Sequence, residues 1–178
     1  MAKHDQAQRR GRRARRRWTT GAAVAGAVVI AMVVGYFAYR AQADLPGQKL
    51  PSQGNRHVPT EHEPHEAYNS TPPTSGPHLP YIAPWGIHTK PIVNELQVHN
   101  LEDGGVMVQY NCECPELVEQ LASIVRRYDR FVILAPYPTM KSRIALTAWT
   151  RLETLDQFDA ARVERFIKAY RGIDHHPR

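Results

Sequence analysis

Apolar positions fall into two regimes along the chain. From Thr19 to Tyr39 they run together with no charged residue among them, whereas from Asn94 onward they recur in short clusters at helical or strand spacing. An uncharged run of about 20 residues is what a helix needs to cross a bilayer core. Residues 18–40 are therefore expected to form a transmembrane helix, with Trp18, Tyr36 and Tyr39 at its two interfaces. Further on, residues 94–103 read as a short helix closed by Gly104, and Val106, Val108 and Tyr110 alternate with Met107 and Gln109 as in a strand. Pro115 suits the first position of a helix whose inner stripe is Leu117, Leu121, Ile124, Val125 and Tyr128. Residues 131–135 and 144–149 read as buried strands. A last helix is predicted from Thr154, with Gln157 three residues on as in a capping box, burying Ala160, Val163, Phe166, Ile167 and Tyr170 before Gly172 stops it. The order helix, strand, helix, strand, strand, helix predicts a single compact α+β outer domain, a small sheet flanked by helices, preceded by one transmembrane helix.

What lies between these elements is punctuated by proline. Residues 41–67 carry Pro46, Pro51, Pro59 and Pro64 with few large apolar side chains, and read as an extended linker whose His57, His62 and His65 are solvated. From Tyr68 to His88 the prolines forbid a regular helix or central strand, so a fixed irregular loop is expected, packed through Tyr68, Tyr81 and Trp85. The chain thus divides into a basic cytoplasmic tail (1–17), a transmembrane anchor (18–40), a Pro/His-containing linker (41–67), an extracytoplasmic α+β domain (68–172) and a short tail (173–178).

Charge changes the picture only at the N-terminus. The chain has a net charge of +6, and residues 1–17 alone carry seven arginines and Lys3 against Asp5. The remainder is close to neutral, so the basicity belongs to one tail and gives no support for nucleic-acid binding. Basic residues stay on the cytoplasmic side, which predicts a single-pass cell-membrane protein with its N-terminus inside and its C-terminal domain outside. Ala41-Gln42-Ala43 resembles a signal-peptidase site. The apolar run is longer than the usual signal-peptide core, however, which favours an anchor that is not cleaved after Ala43.

Candidate chemistry gathers around residues 98–114. His99 and Asp103 are four apart and share one face of the predicted helix. Glu102 and Asp103 stand in its last turn, at the negative end of the helix dipole, where a nearby cation would offset the repulsion. Cys112 and Cys114, the two cysteines of the chain, lie between a strand and a helix N-terminus, the setting that lowers a thiol pKa or, in an oxidising compartment, that of a structural disulfide. The element order around them is thioredoxin-like, yet one residue separates them rather than two. No Ser-His-Asp order, phosphate-binding glycine loop or dinucleotide fingerprint is present, so an enzyme is not favoured.

The run Pro72-Pro73-Thr74-Ser75-Gly76-Pro77-His78, the stretch His99-Asn100-Leu101-Glu102 before Gly104-Gly105, the cysteine pair before Pro115, Ala135-Pro136-Tyr137-Pro138 and Ala145-Leu146-Thr147-Ala148-Trp149 together resemble the bacterial domain of unknown function 3105 family. The likeness covers roughly residues 54–171 and implies a small protein with one N-terminal anchor in an uncharacterised family. Asp103 stands where that family usually has a second histidine, and Glu113 alone separates the cysteines. A set of His99, Asp103, His78 and Glu102 would still suit zinc or ferrous iron, and copper less well. Three functions remain open: a metal site there, thiol-disulfide exchange at Cys112 and Cys114, and a non-catalytic module binding an envelope protein through the Pro/Trp loop. In a purely structural alternative, His78 and His99 donate hydrogen bonds that lock the loop onto the helix.

Overall fold

The computed structural model describes residues 26–37, 39–40 and 44–176 of the 178-residue chain. Two compact units are present, Met1–Leu45 and Pro46–Arg178. In the first, residues 26–37 are helical, uncharged and exposed. Among the described residues no helix is long and apolar enough to cross a membrane. The expected basic tail, Trp18, the start of the expected span and Ala41 to Ala43 lie outside the described residues.

The second unit is an α+β domain on a six-stranded mixed sheet. Its elements are β1 (Gln48–Lys49), β2 (Gly86–Ile87), α1 (Asn94–Glu102), β3 (Val106–Tyr110), α2 (Pro115–Val125), β4 (Val132–Pro136), β5 (Ile144–Ala148), β6 (Arg151–Leu155) and α3 (Ala160–Tyr170). The strand order is β1-β6-β5-β3-β4-β2. β3 and β4 are parallel, Val106 opposite Val132, because α2 carries the chain across between them. β5 and β6 form an antiparallel hairpin against the other side of β3. Parallel strands covered on both faces read as continuous apolar runs, and Val106 to Gln109 and Val132 to Ala135 are all buried. On one face Met107, Ile133 and Ala135 pack with Leu101 of α1, Ala83, Ile92 and the flanks of Trp85 and Trp149. Val108 and Leu134 project from the opposite face, while α2 and α3 pack on one another and on the sheet.

Three departures from the sequence pattern have physical causes. Thr154 is no helix cap; it pairs with Ala145 in β6, and Leu155 is buried in place of a helical stripe. The hairpin that precedes it turns at Thr150, which adopts φ 58°. The last helix starts later, at Ala160, capped by the Asp159 carboxylate accepting from the Arg162 amide at 3.1 Å, and Ala160 itself is exposed while Val163, Phe166, Ile167 and Tyr170 are buried. The proline-rich loop is packed as expected, residues 72–79 being buried throughout, but Tyr81 is exposed and takes no part in that packing. Finally, the stretch from Pro46 to residue 67 lies on the domain instead of trailing from it. Gln48 and Lys49 pair with β6, Pro46 O accepts from the Tyr170 hydroxyl, Val58 is buried, and Arg56 and Val58 bracket His78 through backbone bonds of 3.0 and 2.8 Å. Backbone hydrogen bonds hold it, which is why a scarcity of large apolar side chains disguised it as a tether.

Candidate metal centre

The site begins with an unusual helix. α1 buries Gln97, His99, Asn100 and Glu102 beside only Val98 and Leu101, so its inner face is largely polar. Such a face is tolerable only if each group finds a partner, and most of them grip the proline-rich loop. Asn100 clamps Ala83, accepting from its amide and donating to its carbonyl at 2.9 Å each. Leu79 donates its amide to Glu95 O at 2.9 Å, and its carbonyl lies 2.7 Å from His99 Nδ1. Gln97 accepts from Gln109 of β3 at 2.8 Å.

The glycine pair after α1 makes the return possible. A Cβ on Gly105 would stand 2.4 Å from Asn100 O and 2.8 Å from the Trp85 ring. One on Gly104, whose φ is 85°, would stand 2.7 Å from the Ile173 amide nitrogen. Through that gap the C-terminal tail docks against the end of α1, Gly172 donating to Gly104 O at 2.7 Å and His175 to Glu102 O at 2.9 Å.

Four histidines converge here. His57 and His78 are bridge partners, and the His78 ring lies edge-on to His57 and His99 at 5.0 Å from each, while His57 stacks on His99 at 5.2 Å. One ligand atom from each of His57, His78, His99 and Glu102 falls within 4.8 Å of all the others. A second group, His99, Asp103 and His176, meets the same condition. His99 belongs to both.

The ring nitrogens facing away from the cluster are already committed. His78 Nδ1 lies 2.8 Å from Gly76 O, His99 Nδ1 2.7 Å from Leu79 O, and His176 Nδ1 2.7 Å from an Asp174 carboxylate oxygen. The carbonyl acceptors place the proton on Nδ1 of His78 and His99, which in the neutral ring leaves Nε2 with a free lone pair, the arrangement that orients metal-binding histidines in proteins. His78 Nε2 then faces Glu102 Oε2 at 2.9 Å, two acceptors brought together at 0% and 1% exposure. The separation is that of an ion pair, yet the orientation makes no hydrogen bond, and both atoms are buried without a partner. Burial lowers the His78 pKa, against the raising influence of Gly76 O and Glu102. His176 Nε2 looks at the same carboxylate oxygen from 3.5 Å and at Asp103 Oδ1 from 3.7 Å. The hydrogen bond that the His176 ring donates to the Asp174 carboxylate raises the His176 pKa. The other Glu102 oxygen accepts from Asn55 Nδ2 at 2.8 Å, which fixes the carboxylate plane.

A match to the family described as protein of unknown function (DUF3105) extends over residues 59–178. The chain belongs to that family. Neither the curated proteins nor the solved structures compared with it give a match.

The DUF3105 segment contains every member of the cluster except His57, which lies two residues before it. Of the residues named from the sequence, His78, His99 and Glu102 fall in one group and Asp103 in the other, with His99 Nε2 3.6 Å from Asp103 Oδ1 across one helical turn. The locking role also has a basis, because His99 bonds the loop at Leu79 O. Sequence reasoning missed His57 and His176. Nothing in the local pattern of residues 41–67 marks His57, since it reaches the site by a bridge to His78 across the fold. His176 had a signal in Gly104, which lacks a side chain where the tail docks at Gly172 and Ile173. His88 stays apart, its Nε2 turned to Pro84 O at 2.7 Å.

At the other end of β3, Cys112 and Cys114 are joined to each other in a disulfide. Cys114 and Pro115 border an open groove of about 500 Å³ with Leu117, Arg143 and Phe158. No free thiol remains in the DUF3105 segment.

Proposed function

We propose that this DUF3105 domain binds a divalent transition metal, zinc or ferrous iron, through His57, His78, His99 and Glu102, with Asp103 and His176 at the rim, and that an N-terminal anchor holds it at the outer face of the cell membrane. The observation that carries the metal reading is the apposition of His78 Nε2 and Glu102 Oε2 at 2.9 Å, both buried and neither hydrogen-bonded. Two lone pairs placed so repel one another unless a cation lies within reach of both, and a buried carboxylate without one costs several kcal/mol. Imidazole and carboxylate donors suit zinc and iron better than a soft ion. The anchor is supported by the basic residues before Thr19 and the uncharged run after it.

Elemental analysis of the dialysed full-length chain tests the metal reading. Near-stoichiometric zinc or iron that is lost in His78→Ala is the expected result. A folded chain that holds no metal and takes up neither ion when offered would overturn it. Accessibility of Cys112 and Lys141 to an impermeant label on intact cells tests the topology, after reduction for the cysteine; labelling only after lysis would contradict an outer domain.

A further inference from the structure

The cluster contains two overlapping donor groups, and they cannot be filled together. His99 has one lone pair to offer, because its Nδ1 is held by Leu79 O. Charge imposes the same limit: Glu102 and Asp103 supply two negative charges, which one divalent ion neutralises and a second would leave in excess within a buried site. The groups differ in their access to water. The inner one is built on His78 and Glu102, at 0% and 1% exposure, with His57 as its exposed member. The outer one has His176 with 41% and Asp103 with 30% of its side chain exposed. Glu102 Oε2 stands between them, 2.9 Å from His78 Nε2 and 3.5 Å from His176 Nε2.

Resting on the metal reading above, we propose that His99, Asp103 and His176 form a capture position through which the ion reaches the inner histidines, His99 remaining bound while His176 and Asp103 are exchanged for His57 and His78. A hydrated cation meets carboxylate at the outer group, Asp103 with Asp174 behind His176, whereas His57 is pinned between two backbone bonds that bracket its bridge partner and is stacked on His99. His176 is therefore an exchange ligand, and His57 a retaining one. Because a route taken inward is also taken outward, loss of His176 slows uptake and release together and leaves the equilibrium affinity little changed. Loss of an inner ligand speeds release and weakens affinity.

Cobalt(II), a spectroscopic stand-in for zinc, reads this directly. The full-length chain and its His176→Ala, Asp103→Asn and His57→Ala variants are mixed rapidly with cobalt(II), and release is then driven with a chelator. His176→Ala, which leaves both carboxylates in place, is expected to slow both phases by about tenfold or more with Kd little changed, Asp103→Asn to slow uptake with some loss of affinity from the charge removed, and His57→Ala to release faster with a weakened Kd. Unaltered rates in both outer variants, or a weakened Kd with uptake unchanged, would overturn the capture position while leaving the metal centre standing. Absence of cobalt binding by the wild-type chain would overturn both.

Discussion

The two ends of β3 carry the two chemically distinctive clusters of this domain, and they are built in opposite ways. At the far end Cys112 and Cys114 satisfy one another, so the pair is complete as it stands. At the near end His78 and Glu102 are buried face to face with no hydrogen bond between them, and one ligand atom from each of His57 and His99 lies within 4.8 Å of both. Packing is also unequal: the near end is closed by glycines with no room for a Cβ, while the far end opens onto a groove. A cluster that is complete asks for no ligand. One that is costly to bury and still closely packed is where a ligand is expected, because stability given up locally is commonly a mark of function.

That contrast can be broken by substitution. The largest effect is expected for Gly105→Ala, whose Cβ would stand 2.4 Å from a backbone carbonyl; chemical denaturation should show a loss of about 3 kcal/mol. Close behind is His57→Ala. Its ring is exposed, so the fold should survive, yet zinc titration should show affinity weakened by about 100-fold, roughly 2.7 kcal/mol. The double change Cys112→Ser/Cys114→Ser should cost only about 1.5 kcal/mol in unfolding, since the loop it opens is so short, and should leave metal content unchanged. Metal lost with the cysteines, and kept without His57, would reverse the assignment of the two ends.

The sequence made the fold legible where apolar spacing carries it. β3 and α2 begin where expected, and the strands at Val132–Pro136 and Ile144–Ala148 lie within a residue of their predicted bounds. It misled where backbone hydrogen bonds decide. Thr154 has the spacing of a helix cap but is drawn into β6 by pairing with β5, and the stretch after Pro46 reads as a linker because its attachments are made by peptide groups. The site was legible in part for the same reason. His99, Glu102 and Asp103 are joined by one helix, and helical spacing reports their proximity. His57 and His176 arrive from distant parts of the chain, through a bridge to His78 and a docking of the tail at Gly104, and no local spacing encodes either.

The central claim is that the apposed His78 and Glu102 atoms await a cation, and Glu102→Gln tests it most directly. The amide keeps an oxygen for Asn55 and puts a neutral group where a carboxylate oxygen now faces His78 Nε2 at 2.9 Å. Thermal unfolding of wild-type and variant chains, with and without zinc, is the measurement. The metal-free variant should be more stable than the metal-free wild type by about 1 kcal/mol, because a neutral amide removes the buried charge. Zinc at about 100 times its Kd should raise the wild type by about 2.7 kcal/mol and leave the variant where it was. A wild-type chain that neither zinc nor ferrous iron stabilises, together with a variant less stable than the wild type, would show that His78 and Glu102 are an ordinary buried ion pair and contradict the account.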